Sequence, residues 1–260
     1  MSKETAFGKA NREYWDTHAS TTFTPEWVKG LTDQITKGLQ SRVDWIGFRG
    51  VNKSNAPAGR IKMLDYACGS GSASRALRLY VDELRGIDVS GEMVKLYNDA
   101  ARTHGLSTAQ MHAIEGDIMA PLADARDPAI GGPEYRDFDV AVICAGLHHI
   151  DKPDVAIKRL VDRLKKGGVL VIIDWTLGDA DTHQDALEGG AKGCGHAHQD
   201  APHAAAHTVA FAGFNREQMA RMLTEAGCSE SDYIELDERS TIPDEIGGSG
   251  QIFFARGRKG

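Results

Sequence analysis

The sequence predicts an α/β fold: a seven-stranded, mostly parallel sheet with helices on both faces and a helical N-terminal extension. Two patterns carry this prediction. From Arg60 onward, short apolar runs alternate with longer amphipathic stretches, and strands connected through helices need crossovers, which pair them in parallel. Residues 1–48 show helical spacing instead, and Gly50 to Gly59 carries turn formers without periodicity, as a linker between the two parts does.

In the extension, Thr24-Pro25-Glu26 has the form of a helix start, with Thr as cap and Pro at the first helical position. Trp27, Leu31, Ile35, Leu39 and Val43 then recur at four-residue steps and fall on one face. The expected strands are Ile61–Asp65, Leu84–Asp88, Met111–Glu115, Phe138–Cys144 and Val169–Asp174. Between them the spacing predicts helices over Ser72–Val81, Gly91–Thr103 and Pro153–Lys165, the last stopped by Gly167-Gly168. A further helix, Asn215–Ala226, and two late strands, Tyr233–Leu236 and Gln251–Arg256, complete the sheet.

Composition sets bounds on function. The 260 residues are 41% hydrophobic and 26% charged, an ordinary globular balance that excludes wholesale disorder. A net charge of -7 argues against a partner that presents a phosphate backbone, so nucleic acid is not expected. The longest apolar runs, such as Val169 to Ile173, are far too short to cross a bilayer, so no membrane partner is expected either. The polar opening Met1-Ser2-Lys3-Glu4-Thr5 and the widely spaced Cys68, Cys144, Cys194 and Cys228 lead to the expectation of a cytoplasmic protein with reduced thiols.

The most informative segment is Lys62-Met63-Leu64-Asp65-Tyr66-Ala67-Cys68-Gly69-Ser70-Gly71-Ser72: a strand, an acid at its end, and two glycines before a helix. Such a turn borders the crevice at the carboxyl ends of the strands, where bare backbone meets a ligand. Asp88 ends the second strand, suited to accept from both hydroxyls of a ribose. Asp117 follows the third, suited to accept from an exocyclic amine. A dinucleotide site would want a glycine or alanine where Ser74 stands and no acid beside the turn, because Asp65 repels pyrophosphate. The same acid can hold the ammonium of an amino-acid moiety. A nucleoside joined to an amino acid without phosphate is S-adenosyl-L-methionine.

These residues resemble the motifs of the class I S-adenosylmethionine-dependent methyltransferases. Leu64 to Gly71 is similar to the first motif, Gly86-Ile87-Asp88-Val89-Ser90 with Met93 to the second, and Gly116-Asp117-Ile118 to the adenine-contacting third. Phe138 to Ile150 resembles the fourth strand with its loop, and Leu164 to Asp174 the fifth strand. The likeness is strongest over residues 60–175 and nearest to the small-molecule branch of ubiquinone, menaquinone and fungal metabolite methyltransferases. Ala67 departs from the pattern where a glycine is usual, and Lys166 where proline is common. The nucleic-acid signature Asn/Asp-Pro-Pro-Tyr is absent after the fourth strand.

The resemblance implies a Rossmann-like sheet at residues 60–260, a helical cap at 1–48, and a lid-like insertion at 175–214. It implies in-line methyl transfer to a small-molecule O, N, S or C nucleophile, in a monomer or homodimer. Cofactor contacts would come from Asp65, Ala67, Gly69, Gly71, Asp88, Val89, Met93, Asp117, Ile118 and Cys144. Asn11 to Asp16 resembles the N-terminal aromatic segment of this branch, with Tyr14 or Trp15 facing the sulfonium.

His148 and His149, after the fourth strand, are candidate bases because imidazole titrates near neutrality. Within the insertion, Cys194, His196, His198, His203 and His207, with His183 upstream, are metal-ligand types at spacings that match no usual zinc pattern. No metal is therefore expected, and the segment reads as a lid with Trp175 or His207 at its hinges. Two other classes remain: a non-enzymatic S-adenosylmethionine-binding regulatory partner, and a dinucleotide-dependent oxidoreductase, against which Ser74 and Asp65 argue.

Overall fold

The computed structural model describes residues 5–48, 60–120, 128–177, 205–244 and 248–260. Three helices open it: α1 (Ala6–Thr22), α2 (Glu26–Gln40) and α3 (Val43–Ile46). The alternating part follows as β1 (Lys62–Tyr66), α4 (Ser72–Leu77), β2 (Glu83–Asp88), α5 (Gly91–Thr103), β3 (Met111–Glu115), β4 (Phe138–Cys144), α6 (Pro153–Asp162) and β5 (Leu164–Trp175). It ends with α7 (Arg216–Glu225), β6 (Cys228–Glu235), a small pair β7 (Ser240–Thr241) and β8 (Ser249–Gly250), and β9 (Ile252–Lys259). The main sheet runs β3-β2-β1-β4-β5-β9-β6, seven strands in all. β9 alone is antiparallel, to both β5 and β6, because it is reached from β6 without a crossover helix.

Alternation along the central strands divides the core into two layers. Leu64, Ile143 and Ile172 face α6 and α7, packing with Ile157, Leu160, Met219 and Leu223. Met63, Val142 and Val171 face the other way, with Leu39 of α2, Leu77 of α4 and Tyr97 of α5. The central strands are thus buried on both faces, which is why they read as continuous apolar runs.

Several expected boundaries move: β5 and β6 each begin five residues earlier than expected, at Leu164 and Cys228, and helix boundaries shift as well. Thr24 does not cap α2: its hydroxyl donates to the Thr21 carbonyl, and Pro25 occupies the cap position without a side-chain hydrogen bond. The helix expected over Ser72–Val81 stops at Leu77, and the chain then turns, with Tyr80 N–H donating to the Leu77 carbonyl. α6 stops at Asp162, not Lys165, because Leu164 already pairs with Phe138 in the sheet. The glycine pair lies within β5, where Gly167 at φ 77° accommodates an irregularity before Val169 takes up register with Val140.

No described helix is long and apolar enough to cross a membrane. Cys68, Cys144 and Cys228 are free thiols. The linker Gly50–Gly59 and the histidine-rich stretch with His183, Cys194, His196, His198 and His203 lie outside the described residues, as does most of the insertion at 175–214.

Candidate active site

A cavity of about 610 Å³ opens where β1, β2, β4 and β5 end, walled by α1, α2 and the loop after β4. Its glycine turn is built by backbone geometry. Gly69 (φ 48°) and Gly71 (φ 81°) are left-handed, and a Cβ on Gly71 would come within 2.8 Å of the Tyr97 ring. Ala67, the departure from the family pattern, also sits at φ 52°. An L-residue with a Cβ takes up that conformation at a cost of roughly 1–2 kcal/mol.

Three acids converge on this turn. Asp65 is buried, and its Oδ2 accepts from Ser74 N–H (3.2 Å) and Ser74 Oγ (2.7 Å), with Tyr97 OH 2.8 Å beyond. Burial raises its pKa to about 7 against the opposing pull of the Ser74 hydrogen bonds. Asp88 Oδ2 accepts from Gly69 N–H (2.8 Å) and its Oδ1 from Ser90 N–H (3.0 Å), and burial raises it to about 6. One carboxylate therefore ties the glycine turn to the start of α5. Asp117 Oδ1 accepts from Met119 N–H (2.7 Å) and Tyr66 OH (3.1 Å).

All three acids line the cavity, with Ala67, Gly69, Val89, Met93, Cys144 and Trp15. Burial pushes the Cys144 thiol far up, so it stays protonated. Three sequence-predicted residues do not line it. Gly71 sits behind the turn against Tyr97. Ile118 packs into the apolar layer beneath, where a buried aliphatic side chain is best satisfied. Tyr14 points along α1, stacked on His18 at 4.1 Å and edge-on to His207 at 5.4 Å, so that Trp15 alone of that pair faces inward.

At the other end, the sequence-predicted histidines separate. His148 is buried, and its Nδ1 lies 2.7 Å from Asp174 Oδ1 at the end of β5. Asp174 Oδ2 accepts from Leu147 N–H (3.0 Å) and His148 N–H (3.2 Å), which fixes the carboxylate against the loop that carries the histidine. Burial alone would raise Asp174, but His148 and these hydrogen bonds bring its pKa below the usual value. The pair has the geometry of a base held by an acid, and His148 lines the cavity.

His149 donates Nδ1–H to the Thr208 carbonyl (2.8 Å), and burial followed by the neighbouring His148 lowers its pKa to about 3. It is a neutral packing residue under Trp15, their rings 5.1 Å apart. Asp174 escaped the sequence reading as a site residue. The signal was available: like Asp65 and Asp88, it is an acid at the carboxyl end of a parallel strand.

The remaining wall is apolar. Trp27 and Leu31 of α2 extend the helix's buried stripe past Ile35 into the cavity, beside Phe23, Phe7 and Trp175. The near end of the insertion lies over the same loop, Ala210 and Phe211 N–H donating to the His148 carbonyl. Trp175 pairs with Ile252 at the end of β5, and His207 touches Tyr14 from that returning segment. Among the described residues no three His, Cys, Asp or Glu side chains are grouped to hold a metal.

Residues 64–172 match the family model of the methyltransferase domain. An uncharacterised methyltransferase of Schizosaccharomyces pombe is 30% identical over 123 residues, 47% of this chain and 42% of that one. A ubiquinone biosynthesis O-methyltransferase of Ralstonia nicotianae is 24% identical over 127 residues, 49% and 46% of the two chains. The chain thus spans somewhat under half the length of the curated relatives it matches. Two solved structures share the fold across almost the whole chain. Geranyl diphosphate C-methyltransferase from Streptomyces coelicolor A3(2) has a TM-score of 0.64 at 12% identity, covering 99% and 100%. Magnesium protoporphyrin IX methyltransferase from Synechocystis PCC 6803 has 0.60 at 15% identity, covering 97% and 99%. Residues 64–172 thus match a methyltransferase domain, and the seven-stranded sheet around them has the fold of these solved methyltransferases.

Proposed function

We propose that this protein transfers a methyl group from S-adenosyl-L-methionine to the hydroxyl of a small molecule with an apolar body. The observation that carries the reading is one cavity holding both an acid-lined glycine turn and the Asp174-held His148. The residues present suit the cofactor. Asp65, Asp88 and Asp117 offer acceptors for an ammonium, ribose hydroxyls and an amine, as a nucleoside amino acid requires and a pyrophosphate does not. Arg75 is engaged by the Ser70 carbonyl and the Ser72 hydroxyl of the turn and does not line the cavity.

When bound, the cofactor supplies an electrophilic methyl group on a sulfonium. The chain's part is binding, orientation and proton removal. Asp88 holds the ribose while its own hydrogen bonds fix Gly69 and Ser90, so the turn and α5 stay in register. His148 takes the acceptor's hydroxyl proton at Nε2, and Asp174 holds the ring and stabilises the imidazolium that results. Trp15, Trp27 and Trp175 exclude water from between the reactants, where orientation alone can be worth roughly 7–11 kcal/mol. In this reading α1 to α3 serve as a cap, and the described segment 205–214 covers the acceptor side. The relatives named as O-methyltransferases agree with an oxygen acceptor.

Titration calorimetry with S-adenosylhomocysteine and with NAD⁺ tests the cofactor, and mass-spectrometric detection of methylated product over a panel of phenols and alcohols tests the acceptor. Binding of the first ligand only, with turnover that drops about 10²–10⁴-fold in His148→Ala at unchanged S-adenosylhomocysteine affinity, is expected. A response to NAD⁺ alone overturns the reading. Turnover in His148→Ala equal to wild type removes the base, and tight cofactor binding without any product favours the regulatory-binder class.

A further inference from the structure

We propose that Asp16 is a positioning residue, a latch through which the ribose end of the cofactor site and the helix covering that site stabilise each other. The proposal rests on the adenosyl reading of the cavity given above.

α1 is an unusual helix in this fold. It has seventeen residues, yet it contributes none to either apolar core layer, and its buried residues are only Asn11 and Ala19. One of its faces, Phe7, Asn11 and Trp15, is instead wall of the cavity. A helix that buries so little apolar surface has a small docking free energy, so a few specific contacts decide whether it stays in place.

The contact with the deepest reach is that of Asp16. Its Oδ1 accepts from Ser90 Oγ–H (2.7 Å) and from Glu92 N–H (3.4 Å), 74 and 76 residues further along the chain. Ser90 is fully buried and caps α5, its Oγ accepting from Met93 N–H (3.1 Å). Its backbone N–H donates to Asp88 Oδ1 (3.0 Å). A single residue thus carries the ribose-site acid on its backbone and α1 on its side chain. The Asp16 carboxylate also lies at the N-terminus of a thirteen-residue helix, where the exposed N–H groups favour an anion.

A ligand that fixes Asp88 fixes Ser90, and Ser90 presents its hydroxyl to Asp16. By linkage the reverse holds: loss of the latch weakens the ligand by the factor by which the ligand stabilises the docked helix. Two further contacts guide α1 without reaching the cofactor acids, namely Trp15 on His149 and Tyr14 on His207.

The test measures hydrogen exchange of peptides covering α1, with and without S-adenosylhomocysteine, alongside the Kd of that ligand. In the wild type the ligand slows exchange of residues 6–22. In Asp16→Ala its Kd rises about tenfold and it no longer slows exchange there, whereas Asp16→Asn, which keeps an acceptor oxygen, recovers most of both. Ser90→Ala removes the hydroxyl from the opposite side and gives the same two losses, and it decides the matter if Asp16→Ala fails to fold. The double variant loses clearly less than the sum of the two single ones, because the Asp16–Ser90 hydrogen bond is common to both. Glu13→Ala, an exposed change on the same helix, leaves both readouts unmoved. Asp16→Ala binding within twofold of wild type, unchanged protection of α1, or additive losses in the double variant would each overturn the latch. No heat from the wild-type protein with the ligand would sink the adenosyl reading itself.

Discussion

The two ends of the cavity are made in different ways. At the glycine turn, Asp65, Asp88 and Asp117 come from the ends of neighbouring parallel strands or the residues just after them, and the register staggers them across the strand tips, Asp65 opposite Gly86 and Asp88 opposite Glu115. At the acceptor end, His148 meets Asp174 from 26 residues away, His149 meets Thr208 from 59 away, and α1 and α2 supply the wall. The first end is a consequence of secondary structure. The second depends on how separate elements pack, and that makes it the more adaptable part of the molecule. A fold can keep its cofactor end and change its acceptor by altering two helices and a loop.

The contrast can be broken from its stronger side first. Asp88→Ala removes a buried acceptor shared by Gly69 and Ser90, so it should disturb the turn as well as the ribose contact. A charge-assisted hydrogen bond is worth roughly 1.5–3 kcal/mol, so calorimetry should show at least a 10–100-fold weaker S-adenosylhomocysteine. A change under threefold would mean that this end is not the ribose site.

Trp27→Ala addresses the other end. Loss of an apolar wall residue costs roughly 1.5–3 kcal/mol of burial, so acceptor KM should rise about tenfold or more while S-adenosylhomocysteine affinity stays put. A loss confined to the cofactor would show that the two ends are not separate.

The third effect is smaller and concerns pH. Asp65 and Asp88 titrate at about 7 and about 6 in the ligand-free fold, against 3.8 for an unburied aspartate. Between these values the native state binds more protons than the unfolded chain, so stability falls as pH rises from about 4 to about 7. The Tm of ligand-free protein should be lower at pH 8 than at pH 5, and Asp65→Asn should shrink that difference. A Tm that climbs over the same interval in wild type would contradict the burial of these acids as the cause.

The smallest effect belongs to Ala67. Relief of its left-handed backbone in Ala67→Gly is offset by the extra freedom glycine gives the unfolded chain, so denaturant titration should find a change within about 1 kcal/mol. Destabilisation beyond that would show that the alanine methyl packs in a way the φ angle does not convey.

Much of the fold could be read in advance because its causes are local. Apolar runs such as Phe138–Cys144 and Met111–Glu115 matched their strands, and Gly91–Thr103 its helix, since both the cap Ser90 and the periodicity lie within a few residues. The boundaries that moved were decided by partners elsewhere: Leu164 left its helix to pair with Phe138. The same division holds at the site. Asp65, Gly69 and Asp88 line the cavity where the strand-end spacing puts them, whereas Tyr14 and Ile118 do not line it, because adjacent residues on a helix or after a strand point in different directions.

The sequence by itself therefore determined the sheet, its glycine turn and the acids at the strand tips, because periodicity and backbone conformation are set over a few residues. Only the tertiary structure decided which of two adjacent histidines has an acid behind it, that Asp174 is that acid, and that α1 reaches Asp88 through Ser90. Those are contacts between residues far apart in the chain, and no local preference of the backbone encodes them.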